Sequence, residues 1–230
     1  MSSGLLTAVL GVVLGMRHAL EPDHLAAVSS LAAEQRSARA GLTLGAAWGL
    51  GHTLSLLAVG GTLALLETQL PPRLASGVEL LVAVMVVGLG LRALGRAARE
   101  GRRGAPSTHA HGGVVHTHPA PDEHLHLRGW TLATRPLLVG VVHGLAGSGA
   151  VTALVLAELP SAAARLGYIG LFGLGSVAGM ALLTGLFGVP LVRVARAPRA
   201  AAALLGVAGV VSVVVGAAWG VEAGRQLWGG

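Results

Sequence analysis

The sequence predicts an all-α integral membrane protein: six transmembrane helices arranged as two inverted three-helix repeats, with the first helix broken at Pro22. Three observations predict it. Of 230 residues, 53% are hydrophobic and 11% charged, against about 25% charged in a soluble domain. Apolar runs of the roughly 20 residues that a bilayer crossing requires recur along the chain. The arginines collect in alternate connections between those runs.

The first run, 4–33, is long and is interrupted by Arg17, His18, Glu21, Pro22, Asp23 and His24. The others cover 41–66, 75–94, 137–159, 166–189 and 201–221. Proline punctuates the connections, at Pro71 and Pro72, before the fourth run at Pro136, after it at Pro160, and at Pro190 and Pro198. Glycine pairs four residues apart, such as Gly45 and Gly49 or Gly216 and Gly220, suit close helix packing in lipid. The resulting domains are a first three-helix half (1–95), a histidine-rich connection of disordered composition (96–135) and a second three-helix half (136–230).

All 16 basic residues are arginine, and 12 of them fall on one side of the predicted bundle. The positive-inside rule makes that side cytoplasmic, in the inner membrane, with both termini outside. With only two Phe and one Tyr available for stacking, the net charge of +6 reflects membrane topology and not nucleic-acid binding. No cysteine is present, which excludes disulfides, thiolate metal sites and a membrane redox carrier working through paired thiols. The amino-terminal segment has no basic n-region and does not read as a cleavable signal peptide.

The halves resemble each other around Gly15-Met16-Arg17-His18 and Gly140-Val141-Val142-His143. Each histidine precedes an expected helix break, at Pro22 in one half and at 147–149 in the other. Interrupted segments at matching positions of inverted halves point to a transporter's central site.

Ionisable groups are costly in a bilayer, on the order of 2.5–3.5 kcal/mol each on insertion scales. Their concentration between positions 17 and 24 therefore calls for partners. On an unbroken helix His18 and His24 would point about 120° apart. Pro22 removes a backbone donor and crowds the carbonyl of residue 18, so a kink there can turn both imidazoles inward. Asp23 then falls in the first turn of the second half-helix, where the dipole favours negative charge. Arg17 is expected to disfavour a protonated His18 or to pair with Glu21 or Asp23.

His52, followed by Thr53, adds an intramembrane imidazole from the second span. Imidazole nitrogen with carboxylate oxygen and no sulfur suits Ni(II), Co(II) or Zn(II). The candidate metal ligands are His18, Asp23, His24 and His52; His143 is a further candidate, and Thr53 and Ser148 are candidates to hydrogen-bond the ligands. Glu79, early in the third span, reads as structural. No catalytic residue or bound cofactor is predicted, and the chain does not read as an enzyme. In the long connection His109, His111, His116, His118, His124 and His126 form three His-x-His pairs, a pattern that binds or buffers transition metals.

The stretch Arg17-His18-Ala19-Leu20-Glu21-Pro22-Asp23-His24 resembles the first signature of the nickel/cobalt transporter family, and Leu50-Gly51-His52-Thr53 resembles its second. The resemblance implies secondary transport of Ni(II) or Co(II) across the cytoplasmic membrane, with the matched histidines and aspartate required. A later acidic signature of longer members is absent, and six spans resemble the short, urease-associated permease branch. A related efflux branch carries a histidine-rich cytoplasmic loop, which leaves export as the alternative to uptake. A non-transporting metal sensor or assembly factor is the rival from another class. Expected partners are the metal ion, the lipid bilayer and a cytoplasmic metallochaperone; the sequence does not specify an oligomeric state.

Overall fold

The computed structural model describes residues 3–32, 37–102, 108–111, 114–117, 130–194 and 198–229. The membrane body is helical: α1 (Ser3–His18), α2 (Pro22–Ala32), α3 (Ala38–Ser55), α4 (Gly61–Leu65), α5 (Pro72–Arg102), α6 (Trp130–Glu158), α7 (Ala162–Val194) and α8 (Pro198–Trp228). Five helical stretches are long and apolar enough to cross a membrane, and α1 with α2 makes a sixth, bent by 56°. The bend falls where the proline predicts it. Leu20 N donates to Arg17 O and Glu21 N to His18 O, closing α1 with tight turns. Pro22, which has no N–H to offer, is the first residue of α2.

Four features depart from the sequence expectations. Pro136 lies inside α6 and not before it. The expected break at 147–149 is absent: α6 is helical through Gly147, Ser148 and Gly149, because small residues without a proline leave the backbone ladder intact. The second span contains a π-helical turn, Leu56–Gly60, that joins α3 to α4 without interruption. The connection between α5 and α6 is also shorter than 96–135, since α5 continues to Arg102 and α6 starts at Trp130. Within it, Thr108–His111 and Val114–Thr117 pair antiparallel, with His109 opposite His116. His118, His124 and His126 lie outside the described residues.

In lipid the hydrophobic effect gives helices little reason to associate, so close backbone approach and interhelical hydrogen bonds matter more. The contacts here come in reciprocal pairs. A Cβ on Gly15 (α1) would overlap the Phe172 carbonyl of α7, and one on Gly140 (α6) would overlap the Trp48 carbonyl of α3. A Cβ on Gly175 (α7) would meet the Val12 carbonyl of α1, and one on Gly51 (α3) the Leu137 carbonyl of α6. Gly90 (α5) and Gly209 (α8) each face the other's carbonyl at 2.8 Å from the would-be Cβ. Hydroxyls tie further pairs: Ser212 of α8 donates to Ala26 O of α2 (2.8 Å) and Thr53 of α3 to Gly173 O of α7 (3.0 Å). Leucine and valine side chains on the outer faces remain exposed, as Leu81, Val84, Leu174 and Val214 are, which suits contact with lipid chains.

At the bundle end that carries the 66–71 connection, Arg165 is buried. Its guanidinium donates to Leu159 O (2.9 Å), Ala64 O (3.4 Å) and Glu67 Oε1 (2.8 Å). Glu67 has φ 52°, in the left-handed region, just beyond α4. One cation thus satisfies carbonyls from the ends of α4 and α6.

Candidate metal centre

Four imidazoles converge between α1, α2, α3 and α6. His18 closes α1, His24 stands in the first turn of α2, His52 in the last turn of α3, and His143 at mid-length of α6. Ring centroids of His24 lie 4.4 Å from His18, 5.4 Å from His52 and 4.1 Å from His143. His24, His52 and His143 are each no more than 2% exposed.

Two carboxylates hold these rings. Glu21 Oε2 is 2.9 Å from His18 Nδ1. Asp23 reaches two imidazoles, with Oδ1 3.2 Å from His24 Nδ1 and Oδ2 2.9 Å from His143 Nε2. The carboxylates expected to pair with Arg17 therefore meet histidines, while Arg17 lines the adjoining cavity. The opposite nitrogens, His18 Nε2 and His24 Nε2, are buried without a hydrogen-bond partner, as are both nitrogens of His52. Leaving a buried polar atom unsatisfied costs about 1–3 kcal/mol, so these nitrogens beside a cavity are suited to a partner from outside the protein. An imidazole whose Nδ1–H is held by a carboxylate and whose Nε2 is bare is oriented as a metal ligand.

The potential ligand atoms form two groups, each lying within 4.8 Å of one another: His18, His24 and His52, and Asp23, His24 and His143. In a tetrahedral site with metal–nitrogen bonds near 2.0–2.1 Å, ligand atoms stand about 3.3 Å apart. Small side-chain movements would bring either group to that spacing.

A cavity of about 410 Å³ opens onto the cluster. Val151 and Leu154 of α6, Tyr168 and Phe172 of α7 and Trp219 of α8 line it, so it extends toward the end held by Arg165. On the opposite side Trp48, fully buried among Ala19, Ala27, Val28 and Met180, packs 5.4 Å from the His24 ring. The cluster is thus open toward one end of the bundle and backed by an indole toward the other.

Thr53 and Ser148 are engaged elsewhere. The Thr53 hydroxyl bonds the Gly173 carbonyl, and that of Ser148 bonds Leu145 O at 2.7 Å. The sequence reading gave no role to Trp48, Tyr168, Phe172 or Trp219, and treated Glu21 only as a partner for Arg17. The one available signal was spacing: Trp48 precedes His52 by one helical turn and shares its face.

Residues 4–218 match the family described as high-affinity nickel-transport protein, NicO. A urease accessory protein, UreH, from Bacillus sp. (strain TB-90) is 33% identical over 161 residues, an alignment covering 70% of this chain and 66% of that protein. No solved structure matches the chain. A match across nearly the whole membrane body, including both histidine-bearing segments of the first half, is decisive: the chain belongs to the NicO family of high-affinity nickel-transport proteins.

Proposed function

We propose that this protein is a secondary transporter that moves Ni(II), or Co(II), across the cytoplasmic membrane in the direction of uptake. The observation that carries the proposal is the set of bare, buried nitrogens on His18, His24 and His52 at the floor of a cavity that opens toward one bundle end. Nitrogen donors suit these borderline ions, and raw affinity does not separate nickel from cobalt. His18, His24 and His52 bind the ion, and Asp23 and Glu21, behind the rings, offset its two positive charges. The family match over 4–218 supports a transport role in preference to that of a sensor.

The arginine distribution supports a cytoplasmic histidine-rich connection and termini on the outer side, so the cavity faces outward, the side from which an imported ion enters. The reciprocal glycine contacts support two inverted halves: exchanging α1 with α6 and α3 with α7 converts each contact into another. Alternating access then follows from rocking one half against the other around the cluster, with Pro22 as one hinge. The chain carries no nucleotide-binding motif, and membrane potential or proton exchange supplies the driving force. The histidines between α5 and α6 would receive the ion on the cytoplasmic side and pass it to a metallochaperone.

The test is cellular nickel and cobalt content in cells expressing the protein or its Asp23→Ala variant. Accumulation abolished by the substitution supports uptake. Depletion abolished by it makes the protein an exporter, and metal contents equal to those of empty cells in both cases reject the assignment. Purified protein in liposomes separates a transporter from a sensor, since a sensor binds the ion without moving it.

A further inference from the structure

We propose that the cluster is not one metal site but two successive ones sharing His24: a first station of His18, His24 and His52, and a second of Asp23, His24 and His143. The inference rests on the reading of the cluster as an ion-carrying site, and it assigns His143 as a ligand in the path.

Its basis is the division of the ligand atoms into two groups with one member in common. A neutral imidazole has a single lone pair, so His24 serves one ion at a time, through Nε2 or through Nδ1. In the present arrangement Nδ1 faces Asp23 and Nε2 is bare, which prepares the first station. Asp23 is meanwhile engaged at both oxygens, by His24 on Oδ1 and by His143 on Oδ2. The second station is therefore closed by its own hydrogen bonds, and an ion leaving the first must replace them. Asp23 changes from hydrogen-bond acceptor to ligand as the ion passes, and the ring protons of His24 and His143 shift from the nitrogens that faced it to the opposite ones, His24 Nε2 and His143 Nδ1, which have no other partner here.

The origin of the ligands gives the two stations different behaviour. His18, His24 and His52 all belong to the first half of the chain, on α1, α2 and α3, so that station needs no ligand from α6. The second station needs His143 of α6, 120 residues from Asp23, and exists only while the halves are in contact as they are here. Exchange between a station that does not need α6 and one that does couples ion position to where α6 sits against α2. A single fixed cage of four or five ligands would hold the ion without that coupling.

The experiment is nickel binding to the purified full-length protein, titrated with the metal alone, with the ligand atoms identified by X-ray absorption and transport followed in liposomes. Wild type is expected to bind one nickel through imidazoles. His143→Ala and His143→Gln should keep that site while losing at least about tenfold in transport rate. The double variant His18→Ala/His52→Ala should still bind one nickel, more weakly, through two imidazoles and a carboxylate oxygen, and adding His143→Ala should abolish it. The proposal is overturned if the double variant, folded by circular dichroism, binds no nickel, or if His143→Gln transports at the wild-type rate. The glutamine variant decides the matter should the double variant fail to fold. Failure of wild type itself to bind nickel would reject the metal reading as a whole and is distinguishable from either result.

Discussion

His143 and Asp23, 120 residues apart in sequence, meet across 2.9 Å at the centre of the bundle. This contact joins the mid-length of α6 to the first turn of α2, and with it the two halves of the chain. The same carboxylate fixes the ring of His24, so one aspartate orients an imidazole from each half.

Glu21 performs the equivalent service for His18 from a more exposed position. Groups that orient a ligating histidine typically change metal affinity by about 10–100-fold when removed. Glu21→Gln leaves a hydrogen-bond acceptor in place but removes the charge, so its effect belongs at the lower end. Nickel affinity should fall about tenfold, read by titration of the purified protein, with the thermal midpoint unchanged.

Pro22→Ala restores a donor at the head of α2 and relieves the crowding that separates it from α1. The straightened segment would carry His24 away from His18 and His52. Nickel accumulation in cells should fall to the level of Asp23→Ala while the protein still inserts, as checked by its amount in the membrane fraction.

A methyl group at Gly140 has no room beside the Trp48 carbonyl. Overpacking of this kind costs about 1–3 kcal/mol where the backbone yields. Gly140→Ala should lower the thermal midpoint in detergent and, by displacing α6 from α3, also slow nickel transport in liposomes. Gly15→Ala, at the matching crossing of α1 with α7, should do the same. Gly77→Ala, where a Cβ meets nothing within 4 Å, is the control and should alter neither.

Arg165 and Glu67 form an ion pair whose two ends differ in importance. Glu67 is 72% exposed at its side chain, and exposed pairs contribute about 0–1 kcal/mol. The guanidinium itself is buried and also satisfies two carbonyls. Arg165→Met should therefore lower the thermal midpoint well beyond Glu67→Gln, a difference that a thermal shift assay of the two variants in one detergent would reveal.

The membrane class, the bent first span and the segments that carry three of the clustered histidines were all legible in the sequence, because hydropathy, proline chemistry and the expense of buried charge act locally. His143 was legible only as one half of a weak repeat. Its contact with Asp23 depends on how α6 packs, and packing in lipid is decided by where glycines let backbones meet. The glycine-rich stretch at 147–149 was misleading for a related reason: glycine permits a break without requiring one, whereas Pro22 enforces it. Trp48 offered only its spacing to His52, and the cavity wall on α6, α7 and α8 offered nothing, since its residues meet only through the packing of those helices. The π turn at Leu56–Gly60 has no compositional mark at all.

That π turn sets two parts of one span out of phase. Each residue of an α-helix advances the facing direction by about 100°, and a turn holding one residue more than its neighbours shifts everything beyond it by about that angle. Upstream of the turn, the helix is timed to His52 and the histidine cluster; downstream it is timed to Ala64, whose carbonyl meets Arg165. A continuous α-helix would have to satisfy both directions with a single rotation. The slip lets the histidine-bearing and the clamping portions be aimed independently, and deleting one residue from it would force one of them to turn away from its partner.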